Sequence, residues 1–199
     1  MLSAARIRRI ATRTVRGIWQ RSRIIFYRSL SDVNMEGAPT FNQPALMIGR
    51  GTLTFEFGVV IGYFPSPYFF SSYTHLEPRG EKSSIKIGEG THINNNFCAI
   101  AEHANINIGK NCLIGFGVEI IDSDFHGLEI SDRGISSPDW ARSVEIQDNV
   151  FIGSNVKVTK GVVIGTGSVV ANGSVVTKSV LPHTIVGGNP AQVIKKINQ

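Results

Sequence analysis

The sequence predicts an all-β protein, a triangular parallel solenoid of six-residue repeats, with a basic helix before it and a short helix after it. Three observations carry that prediction. An aliphatic residue recurs every six positions at Ile146, Ile152, Val158, Ile164, Val170 and Val176, earlier at Ile108, Ile114 and Ile120, then at Ile87 and Ile93, and faintly at Ile48. Three places after these come Asn149, Asn155, Gly161, Gly167 and Gly173, and earlier Gly51, Gly90, Asn96, Asn111 and Gly117, with Ser179 the one departure. Gly and Asn accept positive φ at little cost, so each unit contains a backbone corner. Four places after the aliphatic stands a second small or medium residue: Val150, Val156, Val162, Ser168, Ser174 and Val180.

Six is neither the helical period nor the alternation of a strand. It marks a repeat made of one short strand, one corner and a second inward side chain. Three units close a turn of 18 residues, which stacks Ile146 under Ile164, Ile152 under Val170 and Val158 under Val176. Each coil then buries its inward side chains only against its neighbours, as in any solenoid.

The pattern divides the chain into a basic helical segment and linker (1–44), the solenoid (45–180), and an exit (181–199) whose VGGNPAQVIKKINQ reads as a Gly/Pro turn into a short helix. Two stretches break the repeat. Residues 63–84 carry aromatics, prolines and serines, and residues 121–145 are polar and contain His126 and Trp140. Long loops on a regular scaffold are commonly functional.

Hydrophobic residues make up 42% of the 199, enough for a substantial core. No apolar run reaches the ~18 residues that a membrane span needs. Cys98 and Cys112 have neither disulfide-framework nor metal-ligand spacing and read as buried free thiols, which points to a reducing, cytosolic setting. The net charge of +5 is uneven: residues 1–30 hold eight arginines and no acid, leaving twelve basic residues against fifteen acids, about −3, elsewhere. On a helix, Ile7, Ile10, Ala11, Thr14, Ile18 and Ile25 fall near one side and most arginines on the other, with Arg21 and Arg28 interrupting the stripe. Two readings fit: an anchor on anionic lipid at the inner face of the cytoplasmic membrane, or a helix packed on its own domain or a partner subunit. No nucleic-acid partner is expected.

Of the five histidines, His126 stands out for chemistry. It lies in the polar loop beyond Ile120, beside Gly127 and two carboxylates, Asp122 and Asp124, either of which could fix the imidazole tautomer. His92 and His103 read as coil-surface residues, and His103 with Glu102 could line an acceptor site. His75 and His183 lie in irregular segments.

The hexads, the DSDFHG loop and the ending VIGTGSVVANGSVVTKSVLPHTIVGGNPAQVIKKI resemble the hexapeptide-repeat acyltransferases over residues 45–197. The resemblance is to the galactoside and maltose O-acetyltransferase branch, and within it to the O-acetyltransferases of bacterial surface polysaccharide and lipopolysaccharide. It implies a left-handed β-helix and a cytoplasmic homotrimer. It also implies an acetyl-CoA groove parallel to the helix axis, a sugar or glycan acceptor entering from the other side, and no metal. His126 is then the general base for the acceptor hydroxyl, with Asn94 and Asn96 on the acceptor side. Ser154, Asn172, Thr177, Lys178 and Lys195 match CoA-side positions, the last on the terminal helix, where Gln192 stands in place of a family arginine. Lys157 and Lys160 read as solvated corners. Trp140, Tyr68 and Phe69 could wall the acceptor, because sugars present C–H faces to aromatic rings. Other readings are an amino-sugar nucleotide N-acetyltransferase, a zinc enzyme of the γ-carbonic-anhydrase kind and a non-catalytic trimeric scaffold.

Overall fold

A computed structural model describes residues 3–198. Its strands stack into three sheets, here faces A, B and C, of six, eight and six strands, parallel throughout except for the last strand of face B. The chain visits A, B and C in turn through six coils. Face A is built from Asn34–Glu36, Thr52–Phe55, Ser84–Ile87, Asn105–Ile108, Val144–Ile146 and Val163–Ile164. Face B begins with Thr40–Phe41 and Val60–Ile61, continues through His92–Ile93, Leu113–Ile114, Phe151–Ile152 and Val169–Val170, and ends with Thr184–Gly188 and Ala191–Lys196. Face C comprises Ala45–Met47, Thr74–Pro78, Cys98–Ala101, Glu119–Ile121, Lys157–Val158 and Val175–Val176.

The ladders form as the period requires. Ile146 pairs with Ile164, Ile152 with Val170 and Val158 with Val176, and all six side chains are at most 1% exposed. At the corners Asn96, Asn111, Asn149 and Asn155 take φ of 53–59°, joined by Gly90, Gly117, Gly161, Gly167 and Gly173. Gly51 is small for a different reason: it lies outside the positive-φ set, and a Cβ there would stand 2.2 Å from the Ser83 carbonyl. Where the inward residue is polar it is satisfied. Ser168 Oγ donates to the Leu181 carbonyl (2.8 Å) and accepts from the Thr184 amide (3.1 Å).

Three boundaries and one thiol differ from expectation. The solenoid starts at Asn34, within the stretch assigned to a linker, because Met35 and Phe41 take the inward positions of a first coil. A terminal coil has a neighbour on one side only, which relaxes the demand for aliphatics. Thr74–Pro78, expected as part of a loop over 63–84, is a strand with Thr74, Leu76 and Pro78 inward, so the true insertion spans 62–73. The terminal helix does not form: Ala191–Lys196 folds back as an antiparallel strand on Thr184–Gly188. So short a segment gains little as a helix, whereas the last strand offers a row of open backbone groups. Cys112 is buried, but Cys98 lies half-exposed on the outer side of face C.

The N-terminal segment is a 26-residue helix, α1 (Ala4–Ser29), with Ser3 Oγ accepting from the Arg6 amide at 3.3 Å. Its C-terminal half docks on the first coils. Gln20, 6% exposed, donates to the carbonyls of Asn42 (2.9 Å) and Phe69 (3.2 Å). Arg23 reaches the carbonyls of Phe69 (3.1 Å) and Ser72 (2.5 Å).

Candidate active site

The insertion that carries His126 leaves the fourth coil after Glu119–Ile121 and returns at Val144, so it stands on the edge between faces C and A. Asp122 does not face His126. It is fully buried, and its carboxylate accepts from the amides of Glu102 (2.8 Å), His103 (3.0 Å) and Ala104 (2.6 Å) on the coil below. Three amide donors occupy it, and this corrects its expected role as the orienter of the histidine. Asp124 is also engaged elsewhere, in a 2.5 Å ion pair with Lys160, which in turn donates to the Trp140 carbonyl at 2.8 Å. Lys160 is therefore a tether for the loop rather than a solvated corner.

His126 itself is exposed and has no hydrogen-bond partner among the described residues. Two features set its position. Phe125 sits at φ +62°, a left-handed turn for a bulky residue, and its ring lies 5.1 Å from the Arg79 guanidinium carbon. Gly127 is hemmed in by the loop, since a Cβ there would meet Trp140 Cη2 at 2.9 Å and Asp132 Cβ at 2.3 Å. Trp140 thus packs beside the histidine, on the same loop.

Beneath the loop lies a charged cluster. Arg79 binds Glu77 at 2.8 Å and Glu102 at 3.3 Å, and His75 Nε2 stands 3.0 Å from Glu77. Burial alone would raise the Glu77 carboxyl. The hydrogen bonds from Arg79 and His75 outweigh it and hold the group below the ordinary carboxylate value. Glu102, expected on the acceptor side, is 7% exposed and tied to Arg79, with its Oε2 unpartnered. Its nearest role is to hold Arg79 under Phe125. His103 Nε2 lies 3.3 Å from Ser136 Oγ, inside the same insertion.

The remaining candidates occupy other places on the prism. Asn94, Asn96, Ser154 and Asn172 all lie on the edge between faces B and C. The Asn94 carboxamide accepts from the Asn95 amide at 2.7 Å, and Asn172 accepts from the Ser154 amide at 2.7 Å, bridging two coils. Asn96 has φ +59° and donates its amide to Gln43, which accounts for it as a corner. Thr177 and Lys178 are exposed on the C/A edge, the edge of His126, and Lys195 is exposed on the outermost strand of face B. Tyr68 and Phe69 belong to the 62–73 insertion on the B/C edge, apart from Trp140. Within one chain the candidates, Lys195 apart, are therefore split between two edges that flank face C.

Two residues passed over in the sequence organise the B/C edge. Asn95, fully buried, donates to the carbonyls of Tyr63 (3.0 Å) and Pro67 (2.8 Å) and accepts from the Tyr63 amide (3.0 Å). Gln43, also fully buried, donates to the carbonyls of Tyr68 (3.0 Å) and Ser72 (3.3 Å). The hexad register gave no signal for Asn95: the second inward position after Ile93 belongs to Phe97, and Asn95 is buried because the 62–73 insertion covers it. Below this insertion, Tyr63, His92, Asn94, Leu113 and Phe151 border a cavity of about 270 Å³. On the outer side of face C, burial first and Glu119 second push the Cys98 thiol up to about 11. Among the described residues, no three His, Cys, Asp or Glu side chains are grouped to hold a metal ion.

Residues 143–178 match the family model described as bacterial transferase hexapeptide (six repeats). A polysialic acid O-acetyltransferase of Escherichia coli O1:K1 is 37% identical over 115 residues, 57% of this chain and 37% of that protein. A solved hexapeptide-repeat acetyltransferase of Vibrio cholerae O1 biovar eltor, complexed with acetyl coenzyme A, aligns over 100% of this chain and 94% of its own, with 25% identity and a TM-score of 0.54. A galactoside acetyltransferase solved with coenzyme A covers 71% of this chain and 66% of its own, at 28% identity and a TM-score of 0.51. The chain spans 61% of the length of one Schizosaccharomyces pombe relative and 37% of the Escherichia coli one. Residues 143–178 carry the hexapeptide repeat of bacterial transferases, and the chain has a left-handed β-helix fold similar to that of the solved Vibrio cholerae acetyltransferase. The Escherichia coli, Vibrio cholerae and galactoside relatives are acetyltransferases by name, two of them solved with acetyl coenzyme A or coenzyme A bound.

Proposed function

We propose that this protein is an acetyl-CoA-dependent O-acetyltransferase that modifies a hydroxyl of a sugar, in a surface polysaccharide or its precursor, with His126 as general base. The observation that supports it most is the division of the candidates between two edges, with an exposed, unpartnered imidazole on one of them. The threefold assembly that belongs to this proposal sets the C/A edge of one chain against the B/C edge of the next. Such a groove receives His126, Trp140, Thr177 and Lys178 from one wall and Asn94, Ser154 and Asn172 from the other. A homotrimer is part of this proposal, as is a cytoplasmic location beside nucleotide- or lipid-linked sugar precursors.

The chemistry follows from the groups present. His126 takes the proton of the acceptor hydroxyl as its oxygen bonds to the thioester carbonyl carbon. The tetrahedral adduct collapses with cleavage of the carbon–sulfur bond, and the imidazolium returns the proton to the departing thiolate of CoA. An exposed lysine such as Lys178 offers charge to the CoA phosphates. With both nearby carboxylates engaged elsewhere, the Phe125 turn and the packing of Trp140 against Gly127 hold the backbone on either side of His126, and the bound substrates orient the imidazole.

The test is a panel of acceptor sugars and amino-sugar nucleotides supplied with acetyl-CoA, read as thiol release and by mass of the product. A hydroxyl acetylated by the parent chain and not by His126→Ala supports the reading. Acetylation of amines alone moves the reaction to N-transfer, and no thiol release with any acceptor rejects it.

A further inference from the structure

Helix α1 is docked by a mixed face, in which two hydrogen-bonding side chains stand beside two half-buried apolar ones. At 100° per residue, Gln20 and Arg23, which bond to the backbone of the first coils, and the half-buried Ile24 and Tyr27 lie on one face. The opposite face carries Ile7, Ala11, Val15, Ile18, Trp19, Ile25 and Phe26. Ile18 and Ile25 are 65% and 69% exposed, Val15 66%, Phe26 59% and Trp19 54%. Ile7, Ile18 and Ile25 fall within about 20° of one line along the helix. An amphipathic helix that served only to pack on its own domain would turn this face inward. Here the fold has fixed the helix by that mixed face and left the broader apolar face outward.

The charge around this face selects its occupant. Residues 1–30 hold eight arginines and no acid. Arg21 and Arg28 border the apolar face on one side, and Arg8 stands within it near the N-terminal end. A second copy of the helix would bring eight more guanidinium groups and no carboxylate, so self-association repels. An anionic bilayer supplies both what the apolar face and what the arginines lack. The helix does not satisfy the requirements of a span: among the described residues none is long and apolar enough to cross a membrane.

We propose that the outward face of α1 lies on an anionic lipid surface, with Ile7, Ile18, Trp19, Ile25 and Phe26 in the headgroup–acyl boundary and the arginines at the phosphates. The docked face keeps the solenoid held beside that surface, since Gln20 and Arg23 tie the helix to the 62–73 insertion. This places a soluble solenoid within reach of lipid-linked or membrane-proximal acceptors. It does not depend on which reaction the solenoid performs.

The experiment uses the full chain with vesicles of phosphatidylcholine alone or mixed equally with phosphatidylglycerol. The parent protein should co-sediment with the anionic vesicles at low ionic strength, ignore the neutral ones, and release in about 0.5 M salt, where the screening length falls to roughly 4 Å. Its tryptophan emission should shift to the blue on binding, and Trp19→Phe should lose that shift. A double variant, Ile18→Glu with Ile25→Glu, changes two exposed positions; circular dichroism confirms its fold, and partitioning onto anionic vesicles should fall at least tenfold. Three results would overturn the proposal. The parent protein does not bind anionic vesicles at low salt, the double variant binds as well as the parent, or the double variant breaks an assembly that the parent forms in vesicle-free solution, which would assign the face to a second copy.

Discussion

His126, Asp122 and Asp124 lie within five residues of one another and meet three different surroundings. Asp122 is a buried acceptor for three amides, so Asp122→Ala should lose about 3 kcal/mol or more of stability, because hydrogen bonds to a charged group are each worth about 1.5–3 kcal/mol and the amides are left unpaired. A urea midpoint close to that of the parent chain would contradict it. Asp124→Asn removes one half-exposed ion pair and should cost under about 1 kcal/mol. The cluster under the loop adds a pH dependence. Glu77 has a lowered folded-state value, so its contribution is complete above the ordinary carboxylate range and is lost as pH falls through the lowered value. Urea midpoints measured from about pH 6 to pH 3 should therefore decline less steeply in Arg79→Ala than in the parent, and parallel curves would remove Arg79 from this role. The sequence displayed the histidine, its loop and its glycine. It did not display the carboxylates' partners, because those are set by the coil below and by Lys160, 36 residues away.

Both insertions are held by side chains from outside themselves, the His126 loop by Lys160 through Asp124 and the Trp140 carbonyl. The 62–73 segment depends on side chains from outside itself: Asn95 and Gln43 beneath it, Gln20 and Arg23 from α1 above. Asn95→Ala leaves the Tyr63 amide and two carbonyls without their partner in a buried site, at a cost of about 2–4 kcal/mol. Limited proteolysis should then cut within 62–73 while the coils resist, and a parent-like digestion pattern would count against the assignment. Element boundaries were least legible where the solenoid ends or is interrupted. The first coil uses Met35 and Phe41 in place of aliphatics, and the insertion throws Thr74–Pro78 out of phase with the hexads. The last strand forms because Thr184–Gly188 leaves an open edge, a fact of topology that VIKKI cannot express locally.

At the scale of the molecule, the stacking of like residues was legible from Ile146 onward, since one turn of the prism equals three periods of the sequence. The ladder should behave as a continuous core: Ile146→Ala, between Ile108 and Ile164, should cost about 2–5 kcal/mol in chemical denaturation. What the linear pattern does not reveal is the division of the candidate residues between the B/C and C/A edges. That division becomes visible only when the coils are closed, and it motivates the claim that a complete groove needs two chains. The most direct test mixes two variants, His126→Ala from the C/A edge and Asn94→Ala from the B/C edge, each inactive alone. Co-refolded in equal amounts into random threefold assemblies, they should regain about a quarter of parent turnover, because a groove is whole only where an unaltered C/A edge meets an unaltered B/C edge on the next chain. Activity no greater than the sum of the separate variants would contradict the shared groove.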